Sequence, residues 1–355
     1  MNNILTGAAM GAALTAAGVY APDIILSQFT FTDYTMFQTF LTAAAGSTVL
    51  VTASQTLNLT NLPPRGPSTL GLGLSLSSSS SSLPSWWTRH EGNILGGALV
   101  GAGMALSGAC PGTLLAQLGV GVKSGWHTMA GAVLAGVVWS WIGRRRRRRV
   151  RSQSVVVVKE GMRDKSKAGE RKEENKESGE ALTVYEALGF SRGVFVVLFE
   201  AVLVLALIAA TQYTNASAAR ARGIPPYLAG LAIAAAQLVS IVLRGSLLGA
   251  STAFEELGGW VWGVREYSNV LFSVGLVGGA WLLSLTVPAL RPVTDVAVSP
   301  LRSVLGGFMI VFGSRMAGGC TSGHGISGLS LMSISSFLTA AATFGMGGLT
   351  GLLIG

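Results

Sequence analysis

Long apolar runs, interrupted by glycine far more often than by charge, recur along the whole chain. They cover Ile4 to Tyr20, Phe37 to Ala53, Ile94 to Leu106, Gly125 to Ile142, Val194 to Ala210, Tyr227 to Leu243, Val270 to Val287, Leu301 to Phe312 and Ile334 to Ile354. A bilayer core takes roughly 17 to 25 such residues per helix. The pattern therefore predicts eight or nine membrane spans, several of them short. Two polar stretches separate the runs. Thr56 to Gly92 holds Pro63-Pro64, Pro67 and a serine run from Ser77 to Ser82, the composition of a flexible solvated loop with no expected part in the core function. Arg144 to Glu180 is too charged to bury and reads as a disordered basic linker. The organisation expected is a first membrane repeat over 1–143, the linker over 144–180 and a second membrane repeat over 181–355.

Composition supports the membrane reading. Half of the 355 residues are hydrophobic and 12% are charged, too few polar groups to solvate a soluble protein of this size. The net charge of +9 is concentrated in the linker, where fourteen basic and seven acidic residues contribute +7. The remainder is nearly neutral, which speaks against a nucleic-acid-binding surface. Six arginines directly after the span that ends at Ile142 place the linker on the cytoplasmic face by the positive-inside rule, with the plasma membrane the expected location. No basic residue precedes the first apolar run, so that span is expected to be retained.

The chain's two cysteines sit in similar phrases, Leu106-Ser107-Gly108-Ala109-Cys110-Pro111-Gly112 and Met316-Ala317-Gly318-Gly319-Cys320-Thr321-Ser322-Gly323. A shift of 210 positions also superposes Gly96-Gly97 on Gly306-Gly307 and Gly103 on Gly313. Such duplication predicts two pseudo-symmetric repeats. Glycine at this density breaks helices, and broken helices at membrane depth are tolerated only inside protein or beside a polar cavity. Paired broken or re-entrant half-helices that meet at the membrane centre point to a transport site. The expected fold is thus an all-α polytopic membrane protein. Whether Ile94 to Val122 crosses fully or turns back is open. With the linker cytoplasmic, a full crossing puts the serine-rich loop inside, and re-entry puts it outside. Asn58-Leu59-Thr60 and Asn215-Ala216-Ser217 fit the glycosylation pattern only if they face a secretory lumen.

A thiol is a weak hydrogen-bond donor on a polarizable atom, suited to a soft sulfur-containing anion. A half-helix beginning after each cysteine would aim free N–H groups and a positive dipole end at the same point. Arg315, five residues before Cys320, is a candidate for electrostatic help, against snorkelling or pairing with one of the few membrane-region acids such as Glu200. Gln117, Ser107, Thr113, Thr321, Ser322 and Ser327 could bind oxyanion oxygens or satisfy broken backbone. His324 follows Cys320 by four residues, but two ligands do not complete a metal site, so neither metal nor cofactor is expected. A Cys–His nucleophilic pair leaves a membrane sulfurtransferase, working through a cysteine persulfide, as the enzymatic alternative. A transporter of another small anion is the second alternative.

At these residues the chain resembles the YeeE/YedE family of sulfur transport proteins. Gly96-Gly97, Gly103 and Ser107-Gly108-Ala109-Cys110 carry the resemblance in the first half. Gly306-Gly307, Gly313 and Gly318-Gly319-Cys320-Thr321-Ser322-Gly323-His324 carry it more closely in the second. The resemblance implies a permease, not an enzyme, that takes up thiosulfate or a related anion by passing it between pore thiols. It implies an hourglass-like protein with Cys110 and Cys320 as the central pair; with the residue readings above, the expected substrate path includes Gly108, Gly319, Gly323, His324, Arg315, Gln117 and Thr321. A small TusA-like sulfur carrier is the partner it implies. Characterised members also carry a cysteine in the first span. Here Gly18-Val19-Tyr20-Ala21-Pro22 has none, with Tyr20, Ser27 or Gln28 as candidate substitutes.

Overall fold

The computed structural model describes residues 1–60, 62–69, 85–161, 181–213, 224–290 and 298–354. Among them, thirteen α-helices account for nearly all the structure. They are α1 (Asn2–Ala16), α2 (Pro22–Phe29), α3 (Thr35–Thr56), α4 (Ser85–Ser107), α5 (Pro111–Val120), α6 (Lys123–Gly161) and α7 (Val184–Leu188), followed by α8 (Arg192–Tyr213), α9 (Pro226–Arg244), α10 (Thr252–Val261), α11 (Ser268–Thr286), α12 (Pro300–Met316) and α13 (Ile334–Ile354). A π-helical segment, Ser322–Gly328, lies between the last two.

One local device is used four times. Helices α1, α4, α9 and α12 each end near a glycine with positive φ: Gly18 at 69°, Gly108 at 62°, Gly245 at 62° and Gly318 at 80°. The left-handed conformation costs L-residues energy, so glycine is the residue that turns the chain there. A short element follows each turn: α2, α5, α10 and the π segment. Proline at the first helical position starts α2, α5, α9 and α12, where its missing N–H costs nothing and its fixed φ already suits a helix. Four helices thus stop at glycine turns, and four short segments restart from the breaks.

Glycines let the long helices touch at backbone distance. A Cβ on Gly96 would lie 2.6 Å from Gly313 O, and one on Gly313 would lie 2.6 Å from Gly96 O. Gly103 and Gly306 block each other in the same way, at 2.8 and 2.7 Å from the partner's carbonyl oxygen. The two glycine ladders of the sequence repeat therefore pack on each other, antiparallel and reciprocally, across the α4–α12 seam. Association of helices in lipid relies on such close packing rather than on a hydrophobic drive.

The pairing fixes which ends lie together. Helix α12 runs antiparallel to α4 and parallel to α6, with Gly131 against Val304 and Trp139 stacked edge-on to Phe312. Arg144 at the end of the apolar part of α6 and Arg315 at the end of α12 consequently line one cavity. The loop before α4 docks on the same end of α12, through Ser68 and Arg65. The stretch from α4 through α5 therefore crosses in full, and Asn58 shares a face with the arginine run. Asn215 and the serine run lie outside the described residues.

Six stretches among the described residues are long and apolar enough to cross a membrane: Thr35–Thr56, Trp86–Val120, Arg192–Gln212, Pro226–Arg244, Ser268–Thr286 and Ile334–Ile354. The expected eight or nine also included α1 and α12, which have 15 and 17 residues, and the apolar part of α6, which His127, Trp139, Ser140 and Trp141 dilute. The chain is an integral, multi-pass membrane protein. Helix α6 continues to Gly161, beyond the expected boundary at 143; residues 162–180 lie outside the described set.

Candidate functional site

Cys110 is the N-cap of α5. Its sulfur accepts from the Thr113 backbone N–H at 3.4 Å and from Thr113 Oγ1 at 3.3 Å, while the Cys110 N–H donates to Thr113 Oγ1 at 2.8 Å. This is a capping box in which a thiol replaces the usual hydroxyl, and it holds the sulfur at the positive end of a helix. With its lone pairs occupied by donors, the thiol keeps its own proton free to donate elsewhere.

Cys320 is 1% exposed and meets donors from two chain segments. The Ser322 hydroxyl lies 3.2 Å from its sulfur. Backbone N–H groups of Gly323, Ala250 and Ser251 also reach it. Ser251 precedes α10 directly, so the second thiol, like the first, faces a helix N-terminus. Here the helix comes from a break some seventy positions earlier in the chain, which only the fold brings into place.

One cavity of about 40 Å³ is lined by Cys110 and by Thr321 and Ser322, the two residues that follow Cys320. Cys110, Thr113, Thr321 and Ser322 supply its polar edge, and Met10, Leu14, Val19, Met36, Phe40, Ile233 and Ile326 its apolar wall. Ser322 links it to Cys320. A water occupies roughly 30 Å³ of liquid, so this volume suits about one water and a larger anion passes only when the wall yields. Flexible Met10 and Met36 are suited to yielding.

Several expected site residues brace the breaks instead of lining the cavity. Gln117 Nε2 donates to Tyr20 O and to Gly108 O, both at 2.8 Å, tying the first two breaks together. His324 has Nε2 at 3.0 Å from Ala317 O and Nδ1 at 3.0 Å from Ser336 Oγ. Since a carbonyl only accepts, Nε2 carries the proton and the Ser336 hydroxyl donates to Nδ1. Both ring nitrogens are occupied: a regular turn joins His324 N–H to Cys320 O at 2.8 Å, but the ring bonds Ala317 and Ser336, not the thiol. Thr321 donates to Met104 Sδ at 3.4 Å, and Ser107 to Gly103 O at 2.7 Å. Ser327 donates to Leu248 O at 2.9 Å. Gly108 turns the chain next to Pro22, and Gly319 and Gly323 leave room beside Cys320.

Arg315 takes the alternative of pairing with an acidic side chain. It forms an ion pair with Glu255, not with Glu200, and donates to Thr252 Oγ1 at 3.3 Å. It lines a cavity of about 380 Å³ at the arginine-run end, with Arg144, Glu255, Glu256 and Glu266. It belongs to a mixed-charge vestibule, one turn of α10 away from Cys320. Tyr20, a candidate for the missing first-span thiol, donates to Leu290 O. Both polar atoms of buried Gln28 lack a partner.

Sequence reading missed Arg65, Ser68 and Asn93. The carbonyls that α12 leaves free at its end are capped in series: Met316 O by Ser68 Oγ at 2.6 Å, Ala317 O by Asn93 Nδ2 at 3.0 Å, and Gly318 O by Arg65 Nη1 at 3.2 Å. Asn93 also receives the Ser68 N–H at 2.7 Å and donates to Thr339 Oγ1 at 3.1 Å. Free carbonyls at a helix C-terminus require such donors, and favour a cation. The stretch expected to be solvated thus docks on the end of α12 through residues 65–68, with Leu62 buried. One signal was legible: Arg65 is the only Lys or Arg before Arg89.

Comparison with known proteins agrees with this architecture. Residues 16–350 match the sulphur transport family. A probable transporter of Xylella fastidiosa (strain Temecula1) is 32% identical over 116 residues, 33% of this chain and 83% of the relative. The thiosulfate transporter TsuA of Spirochaeta thermophila is 23% identical over 272 residues, 70% of this chain and 73% of the relative.

Proposed function

Because this chain belongs to the sulphur transport family, we propose that it is a permease for thiosulfate, or a closely related sulfur anion, which passes between the Cys110 and Cys320 thiols. The carrying observation is that both thiols are buried and face helix N-termini, with Cys110 lining a central cavity that Ser322 connects to Cys320. Donors on each sulfur leave the S–H proton available to the anion, and the helix ends add attraction without a fixed charge. Weak, successive hydrogen bonds suit passage better than a tight site would. The anion moves between the Cys110 side and the Cys320 side as Met10, Met36 and Phe40 shift. A small sulfur carrier, docked at the arginine-run end, would take the anion that leaves the vestibule of Arg315.

Uptake of labelled thiosulfate by a sulfur-starved host tests the reading. Cys110→Ala and Cys320→Ala should each abolish uptake while the protein still reaches the membrane. Undiminished uptake by both would refute the thiol path. The donors converging on Cys320 would also stabilise a persulfide, the reading that makes the protein a sulfurtransferase. Intact-mass measurement after exposure to thiosulfate separates the two: a permease gains no sulfur atom.

A further inference from the structure

Arg65 approaches Cys320 from the loop before α4. Its chain is anchored by the Ser333 hydroxyl, which accepts from the Arg65 N–H at 2.8 Å, and by Ser335 Oγ, which donates to Arg65 O at 3.0 Å. Nη1 caps Gly318 O at 3.2 Å. That contact accounts for one of the five guanidinium donors. Nε is sealed from solvent without a partner. Among the described residues no carboxylate pairs with Arg65; the nearby Glu255 is taken by Arg315.

The other side of the guanidinium faces Cys320. A Cβ built on Gly323 would lie 3.4 Å from Arg65 Nη2 and 3.6 Å from Cys320 Sγ. Cation and thiol therefore flank a gap of about methyl size that exists because residue 323 is glycine. Gly319 clears the opposite side, where a Cβ would come within 2.9 Å of Nη1. An unpaired guanidinium inside protein is costly unless an anion joins it.

We propose that Arg65 is the substrate-selecting cation of the path, gripping the oxygens of a sulfur oxyanion while the Cys320 thiol meets its terminal sulfur. This rests on the anion-permease reading and adds what that reading lacks, a fixed counter-charge. The guanidinium fork suits two oxyanion oxygens at once, and the soft thiol suits the sulfur. An anion with both ends satisfies both groups; sulfate offers only oxygen and hydrosulfide only sulfur.

The test is thiosulfate uptake into proteoliposomes, with thiosulfate-dependent thermal stabilisation of the purified protein as an independent binding measurement. Losing a charge-assisted contact should raise KM for Arg65→Gln by at least about tenfold, with a smaller change in maximal rate. Arg65→Lys should recover part of that loss, and the stabilisation by thiosulfate should vanish only in the Gln variant. Gly323→Ala keeps both Arg65 and Cys320 and fills the gap between them, and it should raise KM similarly in a protein that elutes as wild type. Unchanged KM in Arg65→Gln, beside a dead Cys320→Ala, overturns the role of Arg65 and leaves the permease reading intact. Equal losses in Gln and Lys variants, with lowered melting temperature and normal Gly323→Ala, reduce Arg65 to a helix cap and overturn it too. Absence of thiosulfate uptake by the wild type refutes the permease reading, whereas the binding measurement still decides whether Arg65 holds the anion.

Discussion

The two cysteine sites grow from one repeated phrase, yet the fold surrounds them differently. Cys110 is held by its own helix: Thr113, three residues on, supplies both donors to the sulfur. Cys320 is held by two separate segments, with Ser322 and Gly323 from its own π turn and Ala250 and Ser251 from the break before α10, while Arg65 from the loop before α4 lies across Gly323. A local cap makes the first site independent of distant packing. The second depends on long-range placement, and gains a cation from it. Two similar sequence phrases thus place a thiol at each site and leave its surroundings to differ.

Serine substitution contrasts the two sites most strongly. Cys110→Ser should keep a measurable fraction of uptake, because serine is a good N-cap and retains a donor. Cys320→Ser should lose about tenfold more, since the shorter side chain withdraws from the N–H groups of Ala250 and Ser251, at about 1.4 kcal/mol per tenfold. Equal retention of initial uptake rates would erase the distinction.

Stability sharpens the comparison next. Asn93→Leu removes three buried hydrogen bonds that hold the break before Cys320. It should cost about 2 to 4 kcal/mol, seen as a lowered melting temperature in detergent. Gln117→Leu removes two bonds at the break before Cys110 and should cost about 1 to 3 kcal/mol. A larger loss for Gln117→Leu would mean that the first site is the less self-sufficient one.

The smallest effect belongs to Thr113→Val, which keeps shape and removes the reciprocal cap. A loss of about 1 kcal/mol of stability and a several-fold drop in uptake are expected. Ser322→Ala should lower uptake no more than this, because three N–H groups remain on Cys320 Sγ.

Much of this was legible in the chain. Apolar runs located the helices, Pro111 and Gly108 marked a restart and a stop, and the duplicated glycine ladder anticipated helices in backbone contact. Periodicity and steric permission act over a few residues, so they can be read locally. The roles of Gln117, His324 and Arg315 were not legible in that way. Gln117 and His324 look like ligands because polar groups in apolar segments suggest function, but unpaired carbonyls at the breaks claimed them first. Arg315 looks like a site cation by its distance from Cys320, yet α12 turns it toward Glu255. Arg65 was hidden by the opposite error, since Pro63, Pro64 and the serines beyond describe a loop and say nothing of where it docks.

By itself the sequence determined that this is a multi-pass helical membrane protein with two thiols at duplicated helix breaks, because hydropathy, proline and glycine act on their own neighbourhood. Tertiary structure alone decided that the breaks converge on one cavity, that α10 points its N-terminus at Cys320, and that Arg65 stands beside that thiol. Those are contacts between residues up to 255 positions apart, as Arg65 and Cys320 are. They arise from the requirement that every buried carbonyl and cation find a partner, and no local pattern states which partner that will be.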